Sequence, residues 1–413
     1  MKRSLYFGAS LLLLTAATVR ADELFVGSPT TLIQRGNPYS GAFATIGACG
    51  GQAQSMTLDG TRLLIGDPNG HIYQWTPGGF LSYAFDVPND AQALAMHAGN
   101  LLSGGSDGTI VRVNATTGAV LDTLDVPAPV SAILVSGDDV FAGTSFGIVQ
   151  KGNALTGDFQ FWGTCGGPVN SLAKDSTHLI IGASNSQIYR VNLATQQLEG
   201  NFPAGNDAQA IALQNGDLVV AGSDGSIRRM VPTTGASRGS FTSQVGVSAI
   251  AVLAEADPGV IDCFGNGCPC GNDDPAAGCA HSGGFGARLA GSGTASVSAD
   301  DLELFAFHMP QNRLTRFYLS QHAMQTPLGD GFLCAGGGGG GYPPLRYPAQ
   351  SSGTAGAISL PANLVAYNAS HFPGTGQIFA GATWHSQVWY RDNAGPCSQR
   401  FNTSNAYAIT FVP

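Results

Sequence analysis

Residues 91–129 read AQALAMHAGNLLSGGSDGTIVRVNATTGAVLDTLDVPAP, and this unit decides the fold. A short apolar stretch (AQALAM) is followed by a second that ends in a glycine-rich turn (GGSDG). A third carries β-branched residues (TIVRV), and the turn NATTG leads into a fourth. Four short strands separated by glycine turns within ~40 residues are the pattern of one propeller blade. Units aligned on it begin at Ala53, Ala91, Val130, Val169, Ala208 and Val247, at spacings of 38, 39, 39, 39 and 39 residues. So constant a period marks a true repeat. The shorter unit lacks one residue in its turn Thr76-Pro77-Gly78-Gly79. One third-strand column, Ile72, Ile110, Val149, Ile188 and Ile227, is β-branched throughout, as a buried strand position should be.

The last unit stops after its first strand, near Leu253, and the N-terminal region begins in mid-unit. LFVGSPTTLIQRGNPYSGAFATIGACGG (24–51) aligns with VFAGTSFGIVQKGNALTGDFQFWGTCGG (140–167). Three N-terminal strands plus residues 247–254 therefore complete a sixth blade and remove the open sheet edge. The expected fold is all-β: a six-bladed β-propeller over 22–254, followed by a disulfide-containing β-sandwich. Units three apart match best (PND-AQALAM with GND-AQAIAL, GSDGTI with GSDGSI, ACGG with TCGG), which points to a duplicated three-blade block.

In turn and strand pattern the repeats of residues 24–254, typified by SGGSDGTIVRVNATTG, resemble WD-type and quinoprotein-type bacterial propellers. The resemblance implies the fold only. The Trp-Asp dipeptide of WD repeats is absent, and Asp122 stands where the quinoprotein pattern places a tryptophan after Thr117-Gly118. A quinone cofactor is therefore not implied.

Lys2, Arg3, an apolar run containing Leu11 to Leu14, and Val19-Arg20-Ala21 read as a secretory signal over 1–21, with the mature chain starting at Asp22. No later apolar run is long enough to span a membrane, so the expected location is periplasmic, cell-surface or extracellular. Only 11% of residues are charged, and the net charge of −9 argues against nucleic acid as a partner. Eight cysteines fit an oxidising compartment. Residues 255–262 read as a linker, and 263–413 as a module holding Cys263, Cys268, Cys270, Cys279, Cys334 and Cys397. Its segments CPCGNDDPAAGC, ASVSADDLEL, PLGDGFLC, WYRDNAGPC and FNTSNAYAITF resemble a C-terminal module of secreted proteins from planctomycete-type bacteria. That resemblance brings no activity with it.

Cys49 and Cys165 share one column three blades apart. They are either a disulfide capping one channel mouth or two unpaired thiols. The second position of every inner strand is polar and uncharged: Gln54, Gln92, Ser131, Asn170, Gln209 and Ser248. With Asn89-Asp90 and Asn206-Asp207 these residues could form a collar at the mouth for a cation or a polyol, against the plainer reading of turn chemistry. Asp90 and Asp207 are the candidate metal ligands, and calcium is the cation considered. A third-strand column of Arg35, Gln74, Arg112, Lys151, Arg190 and Arg229 is read as structural, its charges bonding between blades. Gly104-Gly105-Ser106-Asp107-Gly108 matches a nucleophile-elbow expression, but in a repeat hairpin it is a decoy. His71, His97, His178 and His281 show no ligand spacing. Asp273-Asp274 reads as a tight turn, and the run from Gly336 to Gly341 as a loop with no phosphate-binding Lys.

These readings converge on a secreted, non-catalytic binding or scaffold protein. It would be a monomer without a cofactor, whose propeller face meets an extracellular glycan or protein. The competing expectation is a calcium-dependent hydrolase or lyase acting on an extracellular carbohydrate or lactone.

Overall fold

The computed structural model describes residues 23–39, 41–253, 258–336, 344–360, 362–372, 374 and 376–413. The expected signal segment and Asp22 lie outside the described residues, as do 254–257 of the linker and 337–341 of the glycine run.

Blade 2 shows the plan: Ser55–Asp59, Arg62–Gly66, His71–Trp75 and Ser82–Asp86 pair antiparallel in chain order. Blades 3 to 6 repeat it. In blade 1 the inner strand is Ala249–Leu253, followed outward by Glu23–Gly27, Leu32–Gly36 and Phe43–Ala48. Leu24 lies opposite Val252 and Val26 opposite Ile250. The six inner strands contact one another in cyclic order, so the ring is closed by the two ends of the region, as the alignment predicts.

Alternation places one side of each sheet against its neighbour. Ile72, Ile110, Val149, Ile188 and Ile227 are fully buried. Ile72, for example, shares a core with Ala91, Leu94 and Leu101 of blade 3. Burying each such side chain contributes roughly 1.5–3 kcal/mol, which makes the faces between blades the main store of stability.

The turn between second and third strands is also sixfold. Thr31, Gly70, Gly108, Gly147, Ser186 and Gly225 all have positive φ, between 62° and 82°. Each carbonyl accepts the N–H of the residue that follows the fourth strand: Cys49, Val87, Val126, Cys165, Ala204 and Ser243. A Cβ at Gly70 would lie 2.5–2.6 Å from the carbonyl oxygens of Val87 and Asn89. Most blades meet this steric demand with glycine.

The antiparallel order sets two faces. Starts of first strands, second-to-third turns and ends of fourth strands lie on one; the remaining hairpins lie on the other.

In the C-terminal region Val260–Asp262, Ala406–Thr410, Thr383–Arg391 and Leu314–Ser320 pair side by side. A second sheet contains Arg288–Ser292, Glu303–Phe307 and Ile358–Leu360. Leu289, Leu304, Phe317, Leu319, Val388, Tyr407 and Ile409 form their common core. Two findings depart from the sequence reading. Val260–Asp262, assigned to the linker, is the edge strand of this sheet because its backbone pairs with residues 406–408. Leu364–His371 is a short helix. Disulfides join Cys263 to Cys334, Cys268 to Cys279 and Cys270 to Cys397. Between them, Asp273 accepts the Cys268 N–H at 2.7 Å and Asp274 accepts the Gly286 N–H at 2.8 Å, so both carboxylates hold turns.

The region is seated on the hairpin face of blades 6 and 1, where Tyr39 stacks on Phe307 at 4.0 Å and on Phe305 at 5.1 Å. The opposite face, with the collar positions, points away from it.

Candidate functional site

The six polar residues of the inner strands do gather at the open face, and most of them tie blades together. Gln54 donates to Gln92 Oε1. Ser131 Oγ donates to the Val169 carbonyl at 2.6 Å, Asn170 Nδ2 to the Asp207 carbonyl at 3.1 Å, and Ser248 Oγ to the Ala53 carbonyl. Gln92 and Gln209 turn back to Asp90 and Asp207, at 2.9 and 3.1 Å. Gln54 Oε1 is buried without a hydrogen-bond partner.

The two Asn-Asp pairs adopt one conformation three blades apart, each followed by an alanine held at positive φ, Ala91 at 42° and Ala208 at 45°. Asn89 exchanges hydrogen bonds with Ser103, 2.7 Å each way. Asn206 Nδ2 donates to Ser226 Oγ at 3.0 Å. Asp90 Oδ1 accepts the Ser106 N–H at 2.8 Å, and Asp207 Oδ1 accepts that of Ser223 at 2.8 Å. Burial works against the charge of Asp90, but bonds from Ser106 and Gln92 outweigh it and hold the carboxyl below its usual range. Each carboxylate thus secures a turn of its own blade. Among the described residues no three His, Cys, Asp or Glu side chains are grouped to hold a metal ion.

Of the two alternatives for Cys49 and Cys165, the structure has the second: both are free thiols. They occupy the column of Val87, Val126, Ala204 and Ser243, whose backbone N–H closes the turn, and their side chains sit in separate cores. Burial pushes the Cys49 thiol up to about 12, as expected of a packing residue rather than a nucleophile. The basic column bonds between blades at two positions, where Arg229 donates to the Pro38 carbonyl of blade 1 at 3.2 Å and Arg35 lies 5.3 Å over the Trp75 ring of blade 2, and it pairs within blades as well. The partner stands 12 residues earlier, at the start of the second strand. Arg35 meets Glu23 at 3.4 Å, Lys151 meets Asp139 at 2.8 Å, Arg190 meets His178 at 3.1 Å, and Arg229 Nε meets Asp217 at 2.8 Å. In blade 2 the sense is reversed, with Arg62 donating to Gln74 at 3.5 Å. Arg112 uses Asp122 of the fourth strand instead, at 2.9 Å.

The densest polar cluster is one the sequence reading missed. Asp217, fully buried, receives Arg229, Arg238 at 2.7 Å and His308 Nε2 at 2.5 Å. His308 comes from the C-terminal region, so the cluster bolts it to blade 6. The Arg229 guanidinium lies 3.9 Å over the Tyr39 ring. Tyr39, Arg229, Arg238, Phe241, Phe307 and His308 line a narrow cleft. Burial opposes the charge of Asp217, yet Arg229 and His308 overcome it and its carboxyl stays well below the usual range. Burial pushes His308 down to about 4, so it is neutral at neutral pH. Arg229 and Asp217 were legible through the spacing of 12. His308 lies outside the repeat and carried no signal.

By its architecture the ring is a β-propeller, and its structural neighbours are WD40 and YWTD propellers at low identity. No family model matches the chain, and no curated protein does. A chain of the nidogen/laminin complex aligns over 98% of its length and 56% of this chain, with 11% identity and a TM-score of 0.50. The WD40 β-propeller domain of Doa1 aligns over 84% of its length and 60% of this chain, with 17% identity and a TM-score of 0.45. The computationally designed Ika8 protein aligns over 79% and 68%, with 17% identity and a TM-score of 0.39. At these identities the likeness concerns fold alone.

Proposed function

We propose that the chain is a secreted binding or scaffold protein, non-catalytic, whose open propeller face takes an extracellular glycan or protein. The observation that carries this reading is the seating of the C-terminal region on the opposite face, which leaves the face with the polar collar open. Three disulfides support an oxidising, extracytoplasmic location, as does the resemblance of the C-terminal segments to modules of secreted planctomycete-type proteins. Asp86, Asp90, Asp107, Asp207 and Asp224 all belong to open-face turns and strand ends, an unfavourable surface for nucleic acid. The test is a glycan array probed with the mature chain, together with thermal melts in calcium and in chelator. Binding without turnover or calcium dependence supports the proposal. Turnover of a carbohydrate or lactone with a calcium-dependent melting shift would replace it with the hydrolase or lyase reading.

A further inference from the structure

Six copies of one unit supply an internal control: a chemical departure confined to one blade is not required to build a blade. Blade 2 makes such a departure on the open-face rim. At the turn position of Asp67 the other blades carry Ser28, Gly105, Thr144, Ala183 or Gly222. None has a histidine at the position of His71, and none pairs two tyrosines across the third and fourth strands as Tyr73 and Tyr83 do.

These residues form one constellation. Asp67 is fully buried, and its Oδ1 accepts the N–H groups of Asn69 at 2.9 Å and His71 at 3.0 Å. Its Oδ2 lies 3.0 Å from His71 Nδ1, which orients the imidazole and leaves Nε2 facing Asp86, 3.8 Å away. The bond to Asp67 raises the His71 pKa. His71, Tyr73 and Tyr83 pack edge to face at 6.2–6.4 Å. Tyr83 is 53% exposed. The His71–Asp86 pair, with both side chains partly exposed, contributes little to stability, so stability does not account for placing these two groups together.

We propose that this rim of blade 2 is a saccharide-binding subsite. The exposed Tyr83 ring offers a platform for the C–H face of a pyranose. His71 Nε2 and the Asp86 carboxylate stand beside it as a hydrogen-bonding pair for ring hydroxyls. Asp67 and Tyr73 are positioning residues, fixing the imidazole and the platform from behind. The inference rests on the reading of the open face as a binding surface and names its ligand class.

The test is calorimetric titration of the full mature chain with cellohexaose, xylohexaose, mannohexaose and chitohexaose. Variants Tyr83→Ala, Asp86→Asn and His71→Gln are compared with Phe146→Ala, an exposed aromatic on a blade 4 turn of the same face. Blade 5 carries Gln187 in the His71 column, so the His71 variant is compatible with the fold; melting scans check all four. The expected result is one saccharide bound, with affinity lowered by about tenfold or more in the three blade 2 variants and unchanged in Phe146→Ala. A saccharide bound equally by the wild type and all variants overturns the subsite while leaving glycan binding intact. No saccharide bound, with a protein ligand captured instead, overturns both the subsite and its ligand class.

Discussion

At Cys49 and Cys165 the thiol does what valine does at Val87 and Val126, filling a small apolar position behind a backbone hydrogen bond. A column view explains what parity of cysteines cannot, since an even remainder of two does not bring two cores together. Cys49→Val and Cys165→Val should each change stability by less than about 1.5 kcal/mol, the range for a volume-conserving swap. Thiol titration of the unreduced, denatured chain should find the two thiols; finding none would restore the disulfide. The left-handed turn position makes the complementary prediction. Thr31 and Ser186 hold φ of 78° and 62° where four blades use glycine. Ser186→Gly should therefore raise the unfolding free energy by up to about 1 kcal/mol, relief of strain exceeding the added chain entropy. Gly70→Ala should lower it, because the added Cβ meets two carbonyl oxygens.

At the scale of strands and turns, the sequence was informative wherever a residue type recurred in register. The Ile column, the glycine turns and the closing register of Leu24 with Val252 follow from a period that six copies enforce. The same regularity contained the cross-strand pairs 12 residues apart, but their chemistry changes from blade to blade, Glu23 with Arg35 becoming Arg62 with Gln74. A column read for one charge sign alone conceals its partner. The collar was legible as a ring of polar residues, whereas the direction of each side chain was not. Asp90 and Asp207 look like ligands in a sequence and act as turn staples in three dimensions. Asp90→Ala should cost about 1–3 kcal/mol through the orphaned Ser106 N–H and Gln92. Calcium should leave the melting temperatures of wild type and variant alike unmoved. A calcium shift abolished by Asp90→Ala would show that the carboxylate has a second task.

Across the whole molecule, the feature least visible in the sequence is how the two regions are held together, because His308 and Asp217 stand 91 residues apart with no shared repeat. Their contact makes the junction acid-sensitive. His308 has a folded pKa of about 4 against an ordinary value of 6.5, so the unfolded chain takes up its proton first and stability falls as pH drops from 6.5 towards 4. His281, lowered by burial beside the same junction, acts in the same direction. Asp217, held below its usual value, adds a further loss once pH falls below 3.8. Arg229 and Arg238 face the pair from blade 6, and their positive charges oppose a proton on His308. The His308 contribution is on the order of 3 kcal/mol across its window. Melting temperature plotted against pH should therefore decline as pH falls from 6.5 to 4, and decline again as pH rises above about 9, where the unfolded chain's Cys49 loses its proton before the buried thiol does. His308→Gln should start lower, through lost packing and the weakened hold on Asp217, yet show a shallower decline over the acid range. An unchanged slope in the variant would move the acid sensitivity elsewhere. Asp217→Asn should be the costlier change, by about 3–5 kcal/mol, because it leaves two arginines buried without their counter-charge.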